Sequence, residues 1–412
     1  MKNLKQYSNI GAYNTDIGSE TMPMPNVGLI QDTNEVKYNE NQPPFVEQYL
    51  TFIPLEACSF KIIARNFHTT GNTAQYSLDY GTTWTTLAHN ESTPTIEAGH
   101  KVYWKASGNT TYYRDDSPDY TEGIFSFSAT SNFIALGNVM SLVWGDEFND
   151  DYYYTPQKKY VKKYTIINKA AQFAFLFLYC NEKLADISNL TLPATISTEG
   201  AYEGMFYGCS LLTTVPNDLI KINQIYPSNF RLMFAYCTSL TNTPTLPSGN
   251  ISRYCFNGMF KGCTSLTAAP SLSANTLNDI SYACYANMFE GCTSLTNVPS
   301  NMLPSTVLTE SCYASMFAGC TSLTTAPTLP AEDLKRECYN SMFSGCTNLN
   351  YAKVMGINIK DNGFDVMSSI LANVSQTGTF VKNTLASWSD NAKDGLGNYY
   401  IPQSWTIQKV SS

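Results

Sequence analysis

The sequence predicts a multidomain chain of β plus α/β class. An extended N-terminal arm (1–44) leads into an all-β sandwich (45–150), a linker (151–162), a repeat solenoid (163–355) and a C-terminal cap (356–412). Three observations predict this. A Met-Phe block recurs along the second half. Short alternating segments divided by turn residues fill 45–150. Prolines crowd the first 44 residues, which hold few large apolar side chains.

Composition narrows the function. Of 412 residues, 43% are hydrophobic, so the chain builds sizeable cores. Only 14% are charged, against about 25% in an average globular protein. Twenty-five Lys and Arg against 33 Asp and Glu give a net charge of −8. Bulk electrostatic binding of nucleic acid or anionic membrane is excluded, because phosphates need concentrated positive charge. The longest apolar stretch, Ala170 to Tyr179, is about half of the ~20 residues a spanning helix needs. Lys2 and Lys5 supply the charge of a secretory leader, but Ser8, Asn9, Asn14, Thr15 and Asp16 interrupt the apolar run that must follow. No export address is expected.

The arm contains Met22-Pro23-Met24-Pro25-Asn26-Val27 and Asn41-Gln42-Pro43-Pro44. Such a segment cannot build its own core and gains order against a partner. In the next region, Phe60–Ala64 and Lys101–Lys105 alternate, and Thr70-Gly71-Asn72, Ala98-Gly99-His100 and Ser107-Gly108-Asn109 mark turns, as in an Ig-like sandwich. Ser77-Leu78-Asp79-Tyr80-Gly81-Thr82-Thr83-Trp84 reads as a hairpin. Asp accepts turn N–H groups, Gly takes the unusual backbone angle and Trp packs beneath. The acidic junction Asp146–Asp151 is a solvated boundary, lacking the oxygen spacing of a calcium loop.

The repeats begin with a degenerate copy at Leu176-Phe177 and continue at Met205, Met233, Met259, Met288, Met316 and Met342, each followed by Phe, about seven units in all. Cys255, Met259, Phe260, Cys263 and Leu266 fall at offsets 0, 4, 5, 8 and 11. That stripe predicts a helical segment. Thr-x-x-Pro follows, as in Thr267-Ala268-Ala269-Pro270, and predicts a short strand ended by a residue with no N–H. Units that cannot bury their own faces must stack, as in leucine-rich repeats. Twelve cysteines are read as small buried apolar residues. Pairs eight apart on a helix are about 12 Å apart, too far for a disulfide, and His68, His89 and His100 lie outside the repeats, so no zinc site is expected. In the tail, Asp365–Leu371 is expected to be a capping helix, and Gly378–Val381 and Ile401–Ile407 closing strands.

The Met-Phe-x-Gly-Cys-Thr-Ser-Leu-Thr block (Met259–Thr267, Met288–Thr296, Met316–Thr324) resembles the BspA-like leucine-rich repeats of surface proteins from anaerobic gut and oral bacteria and their phages. That resemblance implies adhesion without fixing a ligand. Residues 77–84 match the Asp box of sialidase-like propellers, but one box and only Arg65 and Arg114 do not make a sialidase site. The same stretch is similar to small β-domains of phage and gut-bacterial adhesins. Pro25, Asn26, Val27, Leu29 and Tyr38 lie in a run similar to N-terminal arms on virion proteins of phages infecting gut Bacteroides, which implies virion anchoring. The ending Gly378-Thr379-Phe380-Val381-Lys382 with Trp388 and Ile401–Ile407 resembles the end-cap that follows such repeats.

Walker, dinucleotide, HExxH and GxSxG motifs are absent. The chain is therefore expected to be non-enzymatic, with no cofactor and no metal. The candidate ligand contacts are Phe256, Tyr285, Tyr313 and Tyr339, one after each paired Cys, with Trp84 and Trp104. Recurring Thr-Ser pairs from Thr238-Ser239 onward supply hydroxyls. Packing between units is the alternative use of these rings and hydroxyls. The expected role is a head or tail fibre protein of a virion that attaches to a host glycan or protein. Its expected partners are other virion proteins, with trimerisation left open. The alternatives are a bacterial surface adhesin and a glycan-active enzyme.

Overall fold

The computed structural model describes residues 49–64, 71–106, 113–114, 121–122, 124–144, 152–154, 160–162, 172–193, 198–222, 224–248, 251–272, 281–303 and 305–411. The strands are β1 (Leu50–Pro54), β2 (Phe60–Ile63), β3 (Ala74–Ser77), β4 (Thr85–Leu87), β5 (Val102–Lys105), β6 (Tyr113–Arg114), β7 (Thr121–Glu122), β8 (Ser126–Ala129) and β9 (Phe133–Asn138). After the four-residue helix α1 (Ser141–Trp144) come β10 (Tyr152–Tyr154), β11 (Tyr160–Lys162) and β12 (Leu184–Thr191). The C-terminal strands are β13 (Tyr351–Val354), β14 (Lys360–Asp361), β15 (Phe364–Asp365), β16 (Thr379–Asn383) and β17 (Thr406–Val410).

A six-stranded sheet in the order β12-β9-β1-β5-β3-β4 forms the N-terminal part, with β2 and β8 paired beside it. β1 and β5 are buried along their whole length. Phe52 lies 4.8 Å from Phe127, 4.9 Å from Phe133 and 5.5 Å from Trp104, ring centre to ring centre. Gly137 is required where β9 passes Tyr49: its φ is +82°, and a Cβ there would sit 2.0 Å from the Tyr49 carbonyl oxygen.

This part is fused to the repeats. β12 belongs to the first repeat yet runs parallel to β9. On the other side, the Phe127 N–H donates to Leu176 O at 2.7 Å and Cys180 Sγ donates to Phe127 O at 3.1 Å. Phe127 stacks on Phe177 at 6.2 Å, as Phe177 stacks on Phe206. One hydrophobic cluster runs without a break from Tyr49 to Trp405.

The expected helices of the repeats are not helices. Among the described residues the only helix is α1. Each unit is a ribbon of consecutive turns. Asn257, Met259, Lys261 and Cys263 donate their N–H to the residue three before, at 3.0–3.1 Å. The alternating residues Tyr254, Phe256, Gly258, Phe260 and Gly262 donate into the next unit, to Tyr282, Cys284, Ala286, Met288 and Glu290. Positive φ recurs every fourth residue, at Tyr254, Gly258 and Gly262 and again at Ala283, Asn287 and Gly291. It falls at the third position of every second turn, as in type II turns. A period of four puts Cys255, Met259 and Cys263 in one row and Phe256 and Phe260 in another, which nine residues cannot distinguish from a 3.6-residue helix. The α/β expectation is thus corrected. The described residues are mostly β and turn, with almost no helix.

The extended segments are also weaker than expected. Between units they form only isolated bridges, such as Ala268 with Asn297. Pro216, Pro244, Pro270, Pro299 and Pro327 occupy the same place, seven residues after the block cysteine. Where Ile187 and Lys353 stand instead, the strands β12 and β13 form. β13 then starts a parallel sheet with β16 and β17. The expected capping helix at Asp365–Leu371 is an eighth turn ribbon. Tyr339 donates to Val366, Ser341 to Ser368 and Phe343 to Ile370, and positive φ returns at Ser369 and Asn373. The expected strand at Gly378–Val381 is β16; the second lies later than expected, at β17.

Candidate functional site

Stacking sorts each unit's residues into rows. Two rows are rings inside the core. Phe177, Phe206, Phe234, Phe260, Phe289, Phe317 and Phe343 stack with centres 5.3–5.8 Å apart. Phe173, Tyr202, Phe230, Phe256, Tyr285, Tyr313 and Tyr339 form a second stack at 5.4–6.2 Å. The candidate contacts Phe256, Tyr285, Tyr313 and Tyr339 are therefore interior, none more than 5% exposed. They are corrected from a ligand face to a core ladder, because the turn ribbon points them between units. Trp104 is likewise fully buried. Trp84 is half-buried, with its ring 5.1 Å from Tyr49 and Lys105 Nζ 4.1 Å above it.

The cysteines share this interior. All twelve are free and buried. Cys237, Cys263, Cys292, Cys320 and Cys346 each donate the thiol hydrogen to a Phe carbonyl of the preceding unit at 3.0–3.2 Å. Burial pushes their pKa values up, to about 12 for Cys292 and Cys346. The Thr-Ser pairs lie outside but stitch units together. Thr264 and Thr321 hydroxyls donate to the carbonyls of Thr238 and Thr293. Among the described residues, no group of three or more His, Cys, Asp or Glu is placed to hold a metal, and no helix is long and apolar enough to cross a membrane.

The Asp box is a hairpin turn between β3 and β4. Asp79 accepts the Thr83 N–H at 2.8 Å, the Thr83 hydroxyl at 2.6 Å and the Ser77 hydroxyl at 2.7 Å. These bonds, led by the Thr83 hydroxyl, hold its carboxyl at about 2. Its acceptor capacity is used by its own turn.

A different row faces outward, ten residues before each block cysteine: Glu199, Pro227, Arg253, Tyr282, Glu310, Arg336 and, in the eighth unit, Phe364. Interior rows repeat nearly the same residue, whereas this row changes at almost every step. Tyr282 is 42% exposed and touches Tyr254 edge-on at 5.2 Å. Two of the chain's five arginines stand in this row. At its C-terminal end a groove of about 450 Å³ is lined by Glu310, Lys335, Arg336, Asp361, Asn362 and Phe364, among others. The hairpin β14–β15 presents Phe364. Its Asn362-Gly363 turn has positive φ at both residues, the type I′ geometry. Arg336 Nη1 lies 3.5 Å from Glu310, its Nε 3.3 Å from Glu337, and its guanidinium 4.0 Å from the Phe364 ring centre. Asp361 fixes the wall by accepting the Arg336 N–H at 3.0 Å. This site was missed in the sequence. The Asn-Gly dipeptide was its readable signal, and aligning the units on the block cysteine exposes the varied row.

Pro25, Asn26, Val27, Leu29 and Tyr38 lie outside the described residues, as does the acidic junction 146–151. The BspA type leucine rich repeat region, six copies, matches residues 174–287 and 233–390, together just over half of the chain. The protein belongs to this leucine-rich-repeat family. No curated protein and no solved structure matches the chain.

Proposed function

We propose that the protein is a non-catalytic adhesion protein whose repeats form a solenoid and touch a target through the outward row. One observation carries this reading: a nearly constant interior bears a row that varies from Glu199 through Arg253 and Tyr282 to Phe364. Exposed Tyr and Arg are the side chains that anchor protein contacts. The family match supports a surface role. We further propose that the protein is carried on a phage virion as a fibre component. Residues 1–44 would dock to other virion proteins and residues 45–150 would form the base of the rod. The support is the resemblance of the arm around Pro25-Asn26-Val27. A bacterial surface adhesin is the second reading, favoured by the repeat family alone.

The test is binding of the purified full chain to bacterial cells, read by flow cytometry. The double variant Arg253→Ala, Tyr282→Ala is expected to lose at least about tenfold in affinity with an unchanged melting point. Equal binding by that variant overturns the row. Turnover of surface polysaccharide by the purified protein overturns the non-catalytic reading. Mass spectrometry of purified phage particles decides the location, and deletion of residues 1–44 is expected to remove the protein from them. Its presence in cell envelopes alone favours the second reading.

A further inference from the structure

We propose that the groove between Arg336 and the β14–β15 hairpin is a binding subsite for a neutral oligosaccharide. The assignment rests on the adhesion role above and names its ligand class. Phe364 is 48% exposed at the groove mouth although it is a large apolar ring. An aromatic face is what the C–H surface of a sugar ring packs against. Around it stand planar hydrogen-bonding groups: the Arg336 guanidinium, the Glu310 and Asp361 carboxylates and the Asn362 amide. Such groups match pairs of adjacent hydroxyls, which both donate and accept.

Charge selects against other ligands. Lys335 and Arg336 face Glu310 and Asp361, two cations and two anions. Both cations already have partners, Lys335 with Asp333 at 2.6 Å and Arg336 with Glu310 and Glu337. An acidic ligand would have to displace these carboxylates, whereas a neutral one hydrogen-bonds beside them. A volume of about 450 Å³ lies in the ordinary range for small-molecule sites.

The experiment is a glycan array probed with the full chain, carrying neutral hexose and N-acetylhexosamine oligosaccharides beside uronic-acid and sialylated ones. Retention on neutral oligosaccharides is expected, with roughly tenfold weaker binding for Phe364→Ala. Asn362→Gly keeps the turn and removes the amide, so it is expected to weaken binding even if Phe364→Ala fails to fold. Leu385→Ser, at a position 67% exposed and outside both the groove and the outward row, should leave array binding unchanged. Preference for the acidic glycans overturns the proposal, as does full-strength binding by both groove variants. If the wild-type chain binds cells but no neutral glycan, and protease rather than periodate treatment of the cells abolishes that binding, adhesion stands and this subsite falls to a protein-docking surface.

Discussion

The carbonyl of Phe260 accepts two hydrogens, one from the Cys263 N–H at 3.1 Å and one from the Cys292 thiol of the next unit at 3.1 Å. That explains why a cysteine, rather than an alanine or valine, recurs there. It is small enough for the close stack and still donates to the second lone pair of a buried oxygen. Replacing Cys292 with Ala is expected to cost about 1–2 kcal/mol, read by chemical denaturation. Burial pushes Cys292, Cys312 and Cys346 to about 12, so almost no thiolate exists at pH 8. Alkylation of the native protein is expected to modify none of the twelve cysteines, and alkylation in denaturant all of them. Rapid native labelling would contradict the burial. Asp394 behaves in the opposite sense. Burial raises its pKa, but bonds from the Ser368 hydroxyl and the Asn398 and Ser369 N–H groups outweigh that and hold it at about 2. Its folded value lies below the unfolded one, near 3.9. Its contribution is therefore complete above about pH 4 and is lost as pH falls toward 2. Asp394→Asn should flatten the acid limb of a melting-temperature profile.

At the scale of the element, the turn ribbon depends on every fourth residue tolerating positive φ. Gly291 has φ +74° and room for a side chain, since an added Cβ would make ordinary van der Waals contact, 3.7 Å from the Gly262 backbone. Gly291→Ala should thus cost only backbone strain, about 1–2 kcal/mol, and Gly291→Asn less. Both are measurable as shifts in the denaturation midpoint. Gly137→Ala should cost far more, because its Cβ would sit 2.0 Å from a carbonyl oxygen. These elements show what was readable. The Cys-Met-Phe-Cys stripe revealed the repeat, seven of its units and part of its buried face; the eighth ribbon, which lacks the Met-Phe block, and the burial of the row from Phe256 to Tyr339 did not show in it. Nor did the stripe reveal the backbone, because spacings of four suit a helix and this ribbon alike. The glycines at 258, 262, 291, 319 and 345 were the discriminating signal, since an α-helix interior disfavours them by about 1 kcal/mol each. The prolines predicted short strands, and pairing at those segments falls further, to isolated bridges. The outward row stayed hidden because it is defined only by which residues neighbouring units bring side by side.

At the scale of the whole molecule, the boundary expected at residue 150 does not divide the core. β8 supplies Phe127 to the ring stack that begins with Phe177, and β12 of the first repeat completes the six-stranded sheet beside β9. The N-terminal sheet thus does for the first repeat what the eighth ribbon and the β13–β16–β17 sheet do for the last. Each covers an apolar face that stacking would leave open. A sequence reading that treats the two regions separately misses this, because Phe127 belongs by spacing to a strand and by position to the repeat ladder. The expected outcome is shared stability. A fragment starting at residue 172 would expose Leu176, Phe177 and Cys180, all fully buried in the full chain, and should aggregate or melt well below it. Calorimetry of the full chain should show the N-terminal sheet and the first repeats unfolding in one transition. If Trp104 fluorescence, isolated by replacing the other tryptophans, reports a transition separate from that of the repeats, the two regions are independent and the fused core is wrong.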